Sequence, residues 1–343
     1  MNNKKLFDSK KVFIVAELSA NHNGSIDIAI ETIRAAKRAG ADAIKLQTYT
    51  ADTLTIDSSK PDFVIKNESI WDGQNFYQLY KKAFTPWEWH ENLFKVAHEE
   101  GLICFSSPFD KTAVDFLEEL GNPIYKIASF EITDIPLIEY ISKKGKPIII
   151  STGIADEDAI NLALQTIRKN NKNQIALLKC TSGYPAPIEE ANLLTLRDFK
   201  TKFNVIPGLS DHTLGITAPI VGVSLGAKII EKHFILNQTV GGPDSKFSLD
   251  EEEFTRMVRH VREAEKLMGD ITYDLTDIQL KGKAFARSLY VVKDVKKGEK
   301  FTLKNIRSIR PGFGLHPKHL SEIIGNVAKK DYDRGDRVTE QFL

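Results

Sequence analysis

The chain has only two cysteines in 343 residues, Cys104 and Cys180, and each sits inside an apolar run. Two are too few for a disulfide framework, so both read as small buried side chains in a reducing compartment, not as nucleophiles. Neither sign of charge is in excess: 47 Lys and Arg against 46 Asp and Glu leave a formal net charge of +1. Bulk electrostatics therefore favours neither nucleic acid nor an anionic membrane surface. No apolar run approaches the roughly 20 residues of a membrane span. The basic N-terminus lacks the apolar stretch of a secretory leader. The expected compartment is the cytoplasm. Also missing is a GxGxxG pattern after the first strand-like run, which leaves an open dinucleotide-binding sheet as a runner-up without support.

What is present is a repeat. Short apolar runs recur at 12–18, 43–49, 103–107, 125–129, 147–152, 175–181, 205–210 and 228–234. They are nearly continuous in hydrophobicity, as parallel strands buried on both faces must be. Amphipathic stretches such as 28–38, 87–100, 155–169 and 217–226 lie between them, and Gly40, Gly101 and Gly226 supply stop signals. Eight alternating units predict an α/β fold, a closed (β/α)8 TIM barrel, over residues 1–268. A further helical pattern at 251–268 ends that domain. A polar linker at 269–284 follows, then a small module of short strands and glycine turns at 285–343. A module that small has a limited core of its own and is expected to dock against something.

Residues at the C-terminal ends of barrel strands face one mouth. Taken in order, these positions hold Glu17, Asn21, His22 and Asn23, then Lys45 and Gln47, Ser106 and Ser107, Lys126 and Ser129. Ser151 and Thr152 come next, then Lys179, Thr181 and Ser182, Ser210 with Asp211 and His212, and finally Glu231 and His233. Lysines and hydroxyls in strands are costly unless they bind something, and several at one mouth suit a compact anion such as a phosphate with a carboxylate. His212 and His233, with Asp211 and Glu231 nearby, can hold a divalent transition metal. Together they suggest metal-assisted condensation on a phosphorylated three-carbon unit. Blander assignments exist for each feature. A strand-end histidine can be structural, Lys126 can pair with Glu131, and Gly153, Gly208, Gly241 and Gly242 read as turn residues. Lys126 or Lys179 could also act as a Schiff-base nucleophile, which would leave the histidines without a role. The long insertion at 50–85, rich in aromatic residues, is either a substrate-contacting loop or a packed surface excursion.

Several motifs in combination resemble the sialic acid synthase family: AELSANHNG at 16–24, KLQT at 45–48, SSPF at 106–109, KIAS at 126–129, STG at 151–153, GLSDHT at 208–213, EKHF at 231–234 and GPD at 242–244. The tail resembles that family's antifreeze-like (SAF) domain, with RPGFG at 310–314 matching its motif. The resemblance implies condensation of phosphoenolpyruvate with an acetamido sugar to give a nine-carbon 2-keto acid and phosphate. Carried onto this chain, it implies that His212 and His233 bind Mn²⁺, or Mg²⁺ or Co²⁺ in its place. Lys45, Ser107, Lys126, Ser129, Ser151, Ser182 and Ser210 would hold phosphoenolpyruvate. Glu17, Tyr184, Glu231 and Asp244 would face the sugar, with Glu17 the candidate to orient or deprotonate water. Arg310 would enter from the partner in a domain-swapped homodimer. SIWDG at 69–73 with Leu79–Tyr80 and TPWEWH at 85–90 look like the pseudaminic acid synthase branch. Ser245 after GPD, where neuraminate synthases usually have His, departs from the neuraminate pattern, and an N-acetylneuraminate or legionaminate synthase with a manno-configured acceptor is the alternative. The acceptor in the pseudaminic branch carries a methyl at C6 and a second acetamide.

Overall fold

The structure, a computed structural model, describes residues 11–66 and 70–343. Most of the N-terminal stretch judged for a leader, and Ser69 of the SIWDG segment, lie outside the described residues. The chain divides into two compact units, one ending at Gly269 and the other spanning Asp270–Leu343.

In the first unit, β1 (Phe13–Glu17), β2 (Ala43–Thr48), β3 (Ile103–Pro108), β4 (Tyr125–Ile127), β5 (Ile148–Ser151), β6 (Ile175–Cys180), β7 (Ile206–Asp211) and β8 (Ile229–His233) form a closed barrel. All pairings are parallel, and β8 closes on β1 with Phe13 opposite Ile229 and Glu17 opposite His233. Each strand falls within two residues of its expected run. The open-sheet alternative is excluded by this closure.

Because successive side chains on a strand point to opposite faces, each strand divides between two environments. Outward residues such as Ile14, Ala16, Ile44, Leu46 and Ile127 pack against the surrounding helices. Inward residues, among them Val15, Ala43, Phe105, Ile149, Leu178 and Ile229, form a separate cluster inside the barrel. That inner apolar layer stops short of the strand C-termini. One step further on the same parity come Glu17, Lys45, Lys126, Ser151, Ser210 and Glu231, and the alternation brings them together.

The helices obey their end signals. Gly40, Gly101 and Gly226 follow helix ends with φ of +89°, +70° and +102°, the left-handed turn that glycine adopts without a Cβ clash. The helix Glu251–Met268 starts in a capping box at Asp250 and buries Phe254, Met257, Val258, Val261 and Ala264 on one stripe. The stretch expected as one helix over 87–100 is a single 3-10 turn at Trp87–Trp89 followed by the helix His90–Glu99. The linker is not structureless: it holds a capped helix, Asp277–Gly282. In the second unit an antiparallel pair, β9 (Ser288–Val291) and β10 (Ile306–Ile309), packs into a core with Phe301, Tyr332 and Val338.

The insertion 50–85 is folded, with helices Ala51–Leu54 and Phe76–Ala83 and a bridge between Val64 and Asn75. Two buried histidines tie its end to the barrel. His90 Nδ1 donates to Pro86 O at 3.2 Å, so its Nε2 accepts from Thr48 Oγ1 at 2.9 Å. His22 packs edge-on against Trp89. Burial pushes both imidazoles down to about 4 from an ordinary 6.5. The unfolded chain therefore binds more protons between those values, so their contribution to stability is complete above about pH 6.5 and is lost as the pH falls through 4. Thermal unfolding should show a midpoint that drops between pH 7 and pH 5, and His90→Gln should flatten that drop. A His90→Gln profile parallel to the wild type would remove His90 from the effect.

Candidate active site

Four buried charges form the floor of the barrel mouth. Glu17 on β1 is ion-paired with Lys45 on β2. Lys45 Nζ is also 3.8 Å from Glu231 Oε1 on β8, and Lys126 Nζ on β4 is 3.7 Å from the same oxygen. All four side chains are at most 6% exposed. Gln47 donates to Glu17 at 3.1 Å, Ser210 donates to Glu231 at 3.0 Å, and Ser107 accepts from Lys45 at 3.5 Å. Burial pushes the Glu231 carboxyl up, but Lys126 and Lys45 more than offset it, and it ends below its ordinary value. Burial likewise pulls Lys45 down, yet Glu17 and Glu231 hold it above the usual lysine range. Lys126 ends below that range, because burial exceeds what Glu231 returns. Removing one member of such a set leaves an uncompensated buried charge, at a cost of about 3–5 kcal/mol.

Lys126 thus pairs with Glu231 and not, as the sequence suggested, with Glu131. The register explains why: Glu231 projects inward from β8, whereas Glu131 lies beyond β4 in the turn Ser129–Glu131. Asp211 also departs from expectation. It has outward parity and pairs with Lys232 at 2.5 Å, and Lys232 also donates to Thr213 O. It is therefore no part of the inward donor set. Ser106 likewise points outward, its hydroxyl bonded to Thr48 Oγ1 at 2.7 Å while its backbone N–H donates to Asn122 Oδ1.

His212 and His233 do meet, with ring centroids 5.3 Å apart. His212 Nδ1 lies 3.1 Å from Thr181 O, which can only accept, so Nδ1 carries a proton and Nε2 is the nitrogen left for a ligand. Burial lowers this imidazole, but Cys180 and the Thr181 carbonyl more than offset it and hold it above its ordinary value. Burial, then the positive groups around it, hold His233 well below its ordinary value and therefore neutral. His233 Nδ1 and Glu231 Oε2 are buried without a hydrogen-bond partner. Among the described residues no group of three or more His, Cys, Asp or Glu side chains encloses a metal position. Two facing imidazoles and an unpaired carboxylate oxygen nevertheless fit a divalent ion that draws its other ligands from water or substrate.

The cavity above this floor has a volume of about 260 Å³. Lys45, Lys126, Ser129, Ser151, Ser210, His212, Glu231 and His233 line it, with Tyr184 and Asp244 on its wall. Ser107, Ser182 and Glu17 stand directly behind, bonded to Lys45, Ser129 and Lys45 respectively. Tyr184 packs on His212 at 4.5 Å, and Asp244 accepts from Ser19 Oγ at 2.5 Å. Arg310 immediately follows β10 in the second unit, where it is exposed. Lys179 does not line this cavity; its ammonium bonds Cys180 O.

Gly153 and Gly208 were expected as turn residues, but neither has positive φ, unlike Gly241 and Gly242. A Cβ on Gly153 would come within 1.8 Å of Ser182 Oγ, and one on Gly208 within 2.3 Å of Leu178 Cδ2. Both are required by close approach, and Gly153 makes room for the Ser129–Ser182 pair. Sequence reasoning also missed Cys180, which is buried as expected but faces the cavity, 3.7 Å from His212 Nδ1. It shares the inward parity of Leu178, two residues earlier on β6, and that parity was the available signal. The aromatic wall from the insertion, including Trp71, Phe76 and Tyr80, also lines this cavity and is not only a surface excursion.

Comparison with known proteins agrees with this geometry. The sequence pattern of the NeuB family matches residues 32–273, and that of the SAF domain matches residues 286–343. The chain belongs to the NeuB family. It is 51% identical over 331 residues to a pseudaminic acid synthase of Campylobacter jejuni, covering 96% of each chain. It is 48% identical over 318 residues to a pseudaminic acid synthase of Helicobacter pylori, covering 92% of this chain and 93% of that one. Among solved structures, the N-acetylneuraminic acid synthetase of Leptospira borgpetersenii in complex with citrate superposes with a TM-score of 0.71 at 30% identity. That match covers 79% of this chain and 90% of the other.

Gly153→Ala provides a direct test of the serine pair. Displacing Ser182 should weaken phosphoenolpyruvate binding about tenfold, the effect of losing roughly one good hydrogen bond. Titration calorimetry checks this, and unchanged affinity would separate the Ser129–Ser182 pair from the anion site.

Proposed function

We propose that the chain is a pseudaminic acid synthase, condensing phosphoenolpyruvate with 2,4-diacetamido-2,4,6-trideoxy-L-altrose to give a nine-carbon 2-keto sugar acid and phosphate. The observation that carries this is the charged floor: two buried lysines, each beside a carboxylate, next to two facing histidines. The identity to pseudaminic acid synthases over nearly the full chain supports the choice of acceptor.

In residue terms, Lys45 and Lys126 exchange part of their pairing with Glu17 and Glu231 for the phosphate and carboxylate of phosphoenolpyruvate. In a water-poor pocket that attraction is far stronger than in bulk solvent. Ser129, Ser151, Ser182 and Ser210 supply hydroxyls around it. C3 of phosphoenolpyruvate attacks the acceptor aldehyde carbon, water adds at C2, and cleavage of the C2–O bond releases phosphate. Glu17, fixed by Gln47 and Lys45, orients or deprotonates the water. A divalent ion, Mn²⁺ in our reading with Mg²⁺ or Co²⁺ as substitutes, would be held by His212 and His233 and supply Lewis-acid polarisation of the acceptor carbonyl.

The working form we propose is a cytoplasmic domain-swapped homodimer in which the partner's copy of Arg310 completes the sugar site. Its supports are the exposure of Arg310 and the apolar side chains that the polar linker leaves in solvent, with Ile271 99%, Tyr273 97% and Ile278 82% exposed. The two cysteines are unpaired, and no helix among the described residues is long and apolar enough to cross a membrane.

Phosphate release with Mn²⁺ should occur with the altrose acceptor and not with N-acetylmannosamine or the diacetamido-trideoxy-mannose. Preference for either manno sugar would keep the reaction and overturn the acceptor. His233→Ala should lower Mn²⁺ affinity at least about a hundredfold, on the scale of losing one of two protein ligands. Equilibrium dialysis reads this independently of turnover. Mixing Arg310→Ala chains with Lys126→Ala chains, each inactive alone, should restore partial activity through hybrid dimers. Failure to complement in proven hybrids would place Arg310 outside the partner's site. Borohydride trapping of pyruvate on Lys126 would instead favour a Schiff-base route.

A further inference from the structure

The floor accounts for the anion and the reacting carbonyl, but the cavity continues into an aromatic end that this chemistry does not use. Tyr49, directly after β2, is 4% exposed and lines the cavity. Its ring meets Tyr80 at 5.8 Å and Phe109 at 5.2 Å, both edge-on. Tyr80 sits on the helix Phe76–Ala83, stacked on Phe76, and its neighbours Leu79 and Ala83 line the cavity too. Neither phenol hydroxyl has a hydrogen-bond partner among the described residues. Burial, with Glu131 nearby, holds Tyr80 more firmly protonated than usual. Glu131 is the third unassigned polar group, a cavity-lining carboxyl whose Oε2 is buried and unpartnered.

Leaving Glu131 Oε2 buried and unpaired costs about 1–3 kcal/mol, and the two tyrosines whose hydroxyls lack partners line the same cavity, which points to a ligand that satisfies all three. The required ligand group is specific. Two protonated phenols offer donors, a carboxyl oxygen offers an acceptor, and Leu79, Ala83 and Phe109 add a patch that needs an apolar atom. An amide bearing a methyl presents this complement: a carbonyl oxygen, an N–H and a methyl. A hydroxyl in the same place could satisfy only part of the set and would leave the apolar patch empty.

We propose that Tyr49, Tyr80 and Glu131 form a subsite for an acetamido substituent remote from the reacting carbon, the C4 acetamide of the acceptor. The phenols donate to its carbonyl oxygen, Glu131 accepts from its N–H, and Leu79, Ala83 and Phe109 enclose its methyl. The position follows from the rings around the histidines. Tyr184 is the aromatic side chain packed on His212, so the amide adjacent to the reacting carbon falls to the Tyr184 side and the more distant one to Tyr49 and Tyr80. This rests on the condensation proposed above and adds its specificity-determining residues.

The test uses the full-length Mn²⁺-loaded enzyme and two acceptors, the diacetamido-trideoxy-altrose and its analogue with a hydroxyl at C4. Tyr49→Phe, Tyr80→Phe and Glu131→Met are each compared with wild type. The ratio of kcat/KM for the two acceptors should fall about tenfold per variant, through KM for the diacetamido sugar, as loss of one buried hydrogen bond requires. Because the hydroxyls have no partner among the described residues, the tyrosine variants should keep the wild-type unfolding midpoint. An equal loss with both acceptors would reduce these residues to a wall and overturn the subsite. Wild-type turnover of neither acceptor would overturn the proposed reaction, and the subsite with it.

Discussion

Everything at the barrel mouth depends on the mutual compensation of Glu17, Lys45, Glu231 and Lys126. Each charge alone would be prohibitive in an interior that solvent barely reaches. Set in alternation on β1, β2, β8 and β4, they make a floor that is close to neutral yet holds two ammonium groups ready for an anion. An arriving phosphate and carboxylate can take over the lysines without a large rearrangement of side chains. That is preorganisation in the electrostatic sense, where the dipoles and charges are in place before the reaction needs them.

The same parity that gathers these charges supports them from outside. Ser210 and His212 face inward from the end of β7, and Asp211 between them faces outward. Glu231 and His233 face inward from β8, and Lys232 between them faces outward. The outward residues are register partners, and their ion pair joins the two strands that carry the histidines. Lys232 also donates to Thr213 O, which ties down the loop after His212. On the other side, Asn21 bonds both Phe234 O and Ser248 Oγ, holding the segment after β8. The side chains that face the cavity thus stand on backbone whose other face is fixed.

The barrel was legible because eight apolar runs, helix stop glycines and end caps agree with one another, as they do in chains with little local conflict. The site was legible in outline, since polar residues at strand ends have few other reasons to be there. What stayed hidden depended on parity and reach. Asp211 and Ser106 sit one residue from inward positions, and proximity in sequence made them look like site residues. Glu131 looked like a partner for Lys126 because the two are close in the chain, whereas β8 brings Glu231 closer through space. Gly153 looked like a turn, but its role is visible only when Ser129 and Ser182 are placed beside it. Tyr49 and Tyr80 were countable as aromatics, yet nothing in the sequence shows that their hydroxyls end in a cavity without partners.

The account turns on the lysines changing partners when substrate arrives, and a crystal structure with phosphoenolpyruvate and Mn²⁺ observes this directly. The expected result is a manganese anomalous peak at His212 and His233, with the phosphate and carboxylate within hydrogen-bond distance of Lys45 and Lys126. Phosphoenolpyruvate bound elsewhere, with both lysines still paired only to Glu17 and Glu231, would contradict it.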